Sequence, residues 1–183
     1  MDQLTQLAVA AGDGDRQALA DFIGASQADV WRLCAHLVDR ESADDLTQEV
    51  YLRAVPALAK FRGESSARTW LLTIARRTCA DWLRRLVRTR RLHERLASVA
   101  AIDPGVTDPA RAFSGDLDAL VDRLPQDRRS AFVLTQIIGL SYAEAAEVCG
   151  VAVGTIRSRV SRARSELLEG LGDASGRSFG LGD

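Results

Sequence analysis

Apolar positions recur along this chain at helical spacing, and no stretch reads as a convincing strand. Residues 14–24 and 27–39 read as two helices, the second carrying Val30, Leu33, Cys34, Leu37 and Val38 toward one side. Ser42 and Asp45 have the spacing of a capping box, with Asp in place of Glu, and open a third helix. On it Leu46, Val50 and Ala54 make an apolar stripe beside Tyr51 and Val55, while Asp45, Gln48, Glu49 and Arg53 lie around the other side. Pro56 is expected to kink or end that helix, because proline has no N–H to donate. Gly63 and the two serines after it mark a loop, and Ser65 or Ser66 can cap the next helix. That helix is predicted from about Thr69 to Arg88. It turns Leu71, Ile74, Ala75, Thr78, Cys79, Trp82 and Leu86 to a core and Arg76, Arg77, Arg84, Arg85 and Arg88 elsewhere.

Residues 96–116 hold two prolines and two glycines and read as a linker between two small domains, so the fold class is all-α with two helical domains. The second domain opens near Leu117. Pro125 suits the first turn of a helix, Phe132, Val133, Ile137 and Ile138 follow, and Gly139 stops it. Next, Ser141 and Glu144 form a full capping-box pattern, Ala145 and Ala146 allow a close helix crossing, and Gly150 ends the element. Three residues later a helix begins in which Ile156, Val160, Ala163 and Leu167 repeat at spacings of four, three and four. Its other side shows Arg157, Ser158, Ser161 and Arg162, with Arg159 and Arg164 nearby. Two short helices, a glycine turn and a basic second helix make a helix-turn-helix, although an ordinary hairpin with a solvated arginine face has the same outline.

Charge sharpens the picture. The net charge is −1, yet residues 62–95 carry ten arginines against Glu64, Asp81 and Glu94. Residues 1–61 carry ten acids and five bases. A concentrated basic segment in a neutral chain suits a polyanion, or it is a solvated basic helix. Lys60 is the only lysine, and arginine is the better bidentate ligand for phosphates and base edges. Trp82 reads as core. Phe61 and Trp70 flank the basic loop, where aromatic faces and cations together suit single-stranded nucleic acid.

The chemistry of catalysis is sparse. Cys34, Cys79 and Cys149 are scattered among apolar residues, as reduced, buried thiols would be, which argues against a zinc cluster or disulfide framework. No nucleophile motif, phosphate loop or zinc pattern occurs, and no metal or cofactor is expected. No apolar run is long enough to span a membrane, and the acidic start of the chain does not read as a secretory signal. Asp44, Asp45 and Glu49 crowd six residues, but they share one helix, and neither His36 nor His93 has ligand spacing to them. A docking surface for a basic partner explains them better than a metal site does, and a solvated face is the plain alternative.

Three blocks, in order, resemble the extracytoplasmic-function group of bacterial RNA polymerase sigma factors: DDLTQEVYLRAV, FRGESSARTWLLTIARRTCADWLRR, and LPQDRRSAFVLTQIIGLSYAEAAEVCGVAVGTIRSRVSRAR. The resemblance covers roughly residues 10–170. It implies a sigma domain 2 over 10–92, a linker over 93–116 that threads through polymerase, and a domain 4 over 117–170; the tail over 171–183 lies beyond it and reads as disordered from its glycine-rich composition. It implies that Asp44, Asp45, Gln48, Glu49 and Arg53 dock on the coiled coil of the largest subunit of core RNA polymerase, with the flap as a second contact. It implies that Phe61, Arg62, Ser65, Ser66, Arg68, Trp70, Arg76 and Arg77 take the melted −10 strand and a flipped base. Thr155, Arg157, Ser158, Arg159, Ser161 and Arg162 would then read the −35 duplex. An anti-sigma factor is a common partner in the family, no membrane contact is implied, and the cytoplasm is the expected compartment. Two other functions fit parts of the sequence: a self-sufficient helix-turn-helix regulator and a metal-dependent nuclease or recombinase.

Overall fold

Every regular element is helical in the computed structural model, which describes residues 1–100 and 116–178. The described helices are α1 (Gln3–Gly12), α2 (Arg16–Leu37), α3 (Ala43–Leu58), α4 (Ala67–Ala100), α5 (Asp116–Arg123), α6 (Gln126–Phe132), α7 (Tyr142–Cys149) and α8 (Val153–Ser178). In the N-terminal half α2 packs against α1, α3 and α4. In the C-terminal half α8 packs against α5, α6 and α7. The halves also meet: α7 lies on α4, and α5 and α6 touch α2, so buried side chains of both halves form one continuous core.

Local chemistry explains most boundaries. Asp2 caps α1 by accepting from the Thr5 N–H at 3.0 Å, and Asp15 caps α2 by accepting from Gln17 and Ala18 at 2.8 and 3.0 Å. The two helices predicted over 14–24 and 27–39 are one uninterrupted α2. Ser26, at the expected break, folds its hydroxyl back to the Phe22 carbonyl at 2.6 Å and meets the Tyr51 hydroxyl at 2.7 Å, so its polarity is satisfied within the helix. The Ser42 capping box does not form. Ser42 has helical backbone angles rather than the extended ones a cap needs, its side chain makes no cap bond, and its own N–H donates to Asp39. Pro56 does not end α3, which continues to Leu58. The bond proline removes is to the carbonyl of Leu52, on the exposed side of the helix, where water can serve it.

Ser66 caps α4, its hydroxyl accepting from the Thr69 N–H at 3.1 Å. The helix starts two residues before Thr69 and ends twelve past Arg88, so positions 93–100 of the expected linker are helical and 101–115 lie outside the described residues. Its buried stripe stops near Trp82, which packs on the core, while Leu86 is 49% exposed rather than buried. Pro125 precedes α6 as its cap residue. The turn after α6, Val133–Ile137, widens so that the Ile138 N–H bonds the Val133 carbonyl, and Gly139 at φ +81° ends it. The Ser141–Glu144 capping box forms in both directions, and Gly150 closes α7 in the left-handed region. The expected disordered tail is helical as far as Ser178, and 179–183 lie outside the described residues. Gly170 permits this course: a Cβ there would stand 2.5 Å from the Leu120 side chain of α5. Cys34 and Cys79, far apart in sequence, meet in the core with their sulfurs 3.7 Å apart, and all three cysteines are free thiols.

Candidate nucleic-acid and polymerase interfaces

The first surface is the outward side of α3. Its buried stripe, Leu46, Val50 and Ala54, leaves Asp44, Asp45 and Gln48 exposed. Asp44 accepts from the Trp31 indole N–H of α2 at 2.8 Å. Glu49 and Arg53 pair, with Arg53 Nε and Nη2 both 2.8 Å from Glu49 Oε1, and Arg53 Nη1 reaches Asp81 Oδ2 on α4 at 3.0 Å. Asp81, then Glu49, raises the already high pKa of Arg53. Among the described residues the Asp45 and Gln48 side chains have no polar partner. The three acids therefore diverge: one to an indole, one to a guanidinium, one to solvent. Among the described residues no three His, Cys, Asp or Glu side chains gather as a metal set. Leu52, 70% exposed one turn beyond Gln48, belongs to this surface and went unread in the sequence. It borders an apolar groove of about 560 Å³ with Ile23, Tyr51 and Val55.

The second surface is the loop before α4. Phe61 is buried, and its ring packs 5.0 Å from that of Trp70 at 42°. Phe61, Arg62, Ser65 and Trp70 line a cavity of about 380 Å³ with Ala57, Lys60 and Glu64. Phe61 is thus wall rather than free platform, and Trp70 is the more accessible ring. Ser66 is spent on the cap and on the Thr69 hydroxyl at 2.8 Å, and neither it nor Arg68 lines the cavity. The loop is held from outside by α1, an element the sequence reading omitted. The Ala67 N–H donates to Thr5 Oγ1 at 2.9 Å, and that hydroxyl donates in turn to Asp2 at 2.6 Å. The Thr5 hydroxyl bond is the main reason the Asp2 carboxyl titrates below its usual range. Gly12 lets α1 sit this close, since a Cβ there would lie 2.5 Å from the Leu58 carbonyl oxygen. The sequence did hold a signal for α1: Leu4, Leu7, Ala8 and Ala11 at helical spacing behind Asp2.

Further along α4 the arginines divide. Arg68 donates to Asp29 of α2 at 2.7 Å and to the Ile138 carbonyl at 2.7 Å. Arg76 donates to the Val148 carbonyl at 2.9 Å. Both carbonyls belong to the C-terminal half and sit at or near the ends of helices, where the backbone dipole favours a cation. Arg77 is exposed. Arg84, Arg88 and Arg91 line a wider cavity of about 780 Å³ with Leu83, Val87 and Gln126.

The third surface is α8. Ile156, Val160, Ala163 and Leu167 are buried, as their spacing requires. Arg157, Ser158, Ser161 and Arg162 share one exposed face, and among the described residues neither arginine has a partner. Thr155 is half-buried and accepts from the Ser158 hydroxyl through its carbonyl at 2.9 Å. Arg159 departs from the set: its Nε lies 3.2 Å from Asp127 of α6. Arg164 donates to Gln136 at 2.6 Å. The helix that presents this face is steadied by α7, whose Glu144 titrates below its usual range chiefly because the Ser141 hydroxyl donates to it.

Comparison with known proteins matches this geometry to a family. The sigma-70 region 2 model covers residues 22–89, and the sigma-70 region 4 model covers residues 114–167. The ECF RNA polymerase sigma factor SigC of Mycobacterium tuberculosis is 50% identical over 169 residues, spanning 91% of this chain and 90% of that one. The ECF RNA polymerase sigma-E factor of Escherichia coli is 32% identical over 167 residues, spanning 84% and 86%. The structure of CnrH with the cytosolic domain of CnrY superposes at a TM-score of 0.70 with 28% identity, covering 94% of this chain and 99% of CnrH. Sigma factor RpoE of Bartonella quintana, solved with the anti-sigma factor NepR, superposes at 0.67 with 30% identity, covering 84% and 96%. The chain belongs to the sigma-70 family, in its extracytoplasmic-function group. It is an alternative sigma factor, a DNA-binding initiation factor that works with RNA polymerase, and the reading as a self-sufficient regulator is set aside. Among the described residues no helix is long and apolar enough to cross a membrane.

Proposed function

We propose that this sigma factor docks on core polymerase through α3 and reads a promoter with two separate surfaces, one for each DNA element. Asp44, Asp45, Gln48, Glu49 and Arg53 face the coiled coil of the largest subunit, and the C-terminal unit meets the flap. The observation that carries the reading is the cavity at the start of α4, where Phe61, Arg62, Ser65 and Trp70 converge beside Lys60. An aromatic wall and cations around a preformed hollow suit one unstacked base of the melted −10 strand and the phosphates beside it. Unstacking costs a few kcal/mol, so a ready-made pocket matters. Ser66 shapes this site as the helix cap. Arg68, Arg76 and Arg77 continue it along α4.

Arg157, Ser158, Ser161 and Arg162 enter the −35 major groove, with arginine on guanine edges and serine on bases or phosphates. Thr155 and Arg159 support that face through the Ser158 and Asp127 contacts. Residues 10–92 and 117–170 are the two working units, with 93–116 between them and 171–183 beyond. In the arrangement described, Arg68 and Arg76 are held by main-chain carbonyls of the second unit. Core polymerase must exchange those contacts for DNA phosphates, which gives the free chain weak promoter affinity. The partner of RpoE is named an anti-sigma factor, and a protein of that kind is proposed as a partner here. The chain acts in the cytoplasm, catalyses no reaction itself and needs no cofactor.

The test is run-off transcription from a fragmented genomic library with sigma-free core polymerase, followed by sequencing of RNA 5′ ends. Discrete starts sharing two upstream elements are expected. Chain-dependent starts that share no such elements would overturn the two-surface reading.

A further inference from the structure

A line of alternating charges runs from the docking helix to the arginine-rich helix. Glu49 and Arg53 stand on α3, Asp81 and Arg84 on α4. Arg53 gives two donors to one Glu49 oxygen at 2.8 Å and a third to Asp81 Oδ2 at 3.0 Å. The other Asp81 oxygen is taken by Arg84. One guanidinium is thereby shared between two carboxylates on different helices, and the second is fixed from behind. Glu49 remains 40% exposed, with its Oε2 outside these contacts.

The sharing has a consequence for docking. A basic partner competes with Arg53 for the Glu49 carboxylate. While Asp81 draws on Arg53 from the α4 side, Glu49 is only partly neutralised and still offers an oxygen. Without the charge at Asp81, the whole of Arg53 falls to Glu49, and the acid is quenched from within its own helix. Arg84 also loses its anchor and joins the basic wall of α4.

We propose that Asp81 is a positioning residue for polymerase docking: it holds Arg53 across the gap between α3 and α4 so that the Glu49 carboxylate stays presented to a basic surface. The same contact ties the docking helix to the helix that carries Arg76 and Arg77. Asp81 touches neither polymerase nor DNA in this scheme. The inference rests on the docking role proposed for Glu49, and the experiment separates the two.

The full chain is titrated against core polymerase by fluorescence anisotropy, as wild type, Asp81→Asn, Asp81→Glu, Glu49→Gln and the Glu49→Gln/Asp81→Asn double variant. Thermal melts check that each folds. Exposed ion pairs have modest worth, so Asp81→Asn should weaken binding about two- to fivefold. Asp81→Glu, which keeps the charge, should recover most of it. In the Glu49→Gln background, Asp81→Asn should add nothing, because the group it acts through is already gone. A further loss of the same size in that background would mean that Asp81 merely braces the fold, and would overturn the proposal. Unchanged binding by Asp81→Asn, with Glu49→Gln weakened, would overturn it too. Full binding by Glu49→Gln would instead sink the docking reading itself, and this inference with it.

Discussion

The two arginine faces of this protein differ in what they already hold. On α8, Arg157 and Arg162 project into solvent from a helix whose opposite side is fully buried. On α4, Arg68 and Arg76 are engaged by the Ile138 and Val148 carbonyls, and Arg68 by Asp29 as well. In the proposed roles, the α8 face meets a duplex as it stands, while Arg68 and Arg76 on α4 must first give up contacts that imitate what a phosphate offers: oxygen acceptors in a negative field. Under that proposal, reading in one region is a matter of complementarity, and in the other of exchange. That asymmetry makes sense of an initiation factor that should not open DNA by itself.

The largest effect should come from removing the unengaged face. Arg157→Ala with Arg162→Ala should abolish −35 preference in the holoenzyme, since each base contact is typically worth about 1–3 kcal/mol. Selection of −35 variants by the assembled enzyme measures it. An unchanged preference would break the comparison outright, because α8 would then not be the reader. Next comes Trp70→Ala. Loss of one stacking face costs about 1–3 kcal/mol, and it should fall on strand opening rather than duplex binding. Permanganate reactivity of melted thymines should drop while the −35 footprint persists. If both fall together, the Phe61–Trp70 cavity is not specific to the open strand.

The sequence made these two regions unequally legible, for a physical reason. The α8 face follows from one helix with a clean stripe, so Ile156, Val160, Ala163 and Leu167 alone place Arg157 and Arg162 outward. Position along a helix settles exposure there for Arg157, Ser158, Ser161 and Arg162, whereas Thr155 is half-buried and Arg159 meets Asp127 on another helix. The α4 face depends on contacts between elements far apart in sequence. Nothing near Arg76 announces Val148, and nothing near Phe61 announces that Thr5 of α1 holds the loop. Capping divides on local grounds instead. The Ser141–Glu144 box forms as written on an extended Ser141, whereas Ser42, with the same spacing, has helical backbone angles, donates its N–H to Asp39 three residues back and caps nothing.

A finer variant tests the engaged side directly. Arg76→Ala removes the bond to Val148, and a net hydrogen bond contributes about 0.5–1.5 kcal/mol. In the free chain this should raise the population of separated units several-fold, read as lower energy transfer between dyes on α3 and α8. Arg157→Ala should leave the transfer unchanged. Equal effects from both would erase the distinction between an engaged and an unengaged arginine.

The smallest effect concerns α7, the helix both regions lean on. Ser141→Ala should cost about 1 kcal/mol of stability at neutral pH, the usual worth of a helix cap, while Ser42→Ala should cost almost nothing. The pH dependence gives the sign. Glu144 titrates below its ordinary 4.5 because the Ser141 hydroxyl and N–H both donate to its carboxylate. A depressed folded pKa stabilises the fold above the unfolded value, and that contribution is lost as pH falls through the folded one. The gap between wild type and Ser141→Ala should therefore be full at pH 7 and shrink below about pH 4. It should not vanish, because the Ser141 hydroxyl still accepts from the Glu144 N–H when the carboxyl is protonated. Thermal melts across that range would show it. A gap of constant size would mean that the bond from the Ser141 hydroxyl to the Glu144 carboxylate contributes nothing, and that the hydroxyl steadies α7 only as the acceptor of the Glu144 N–H.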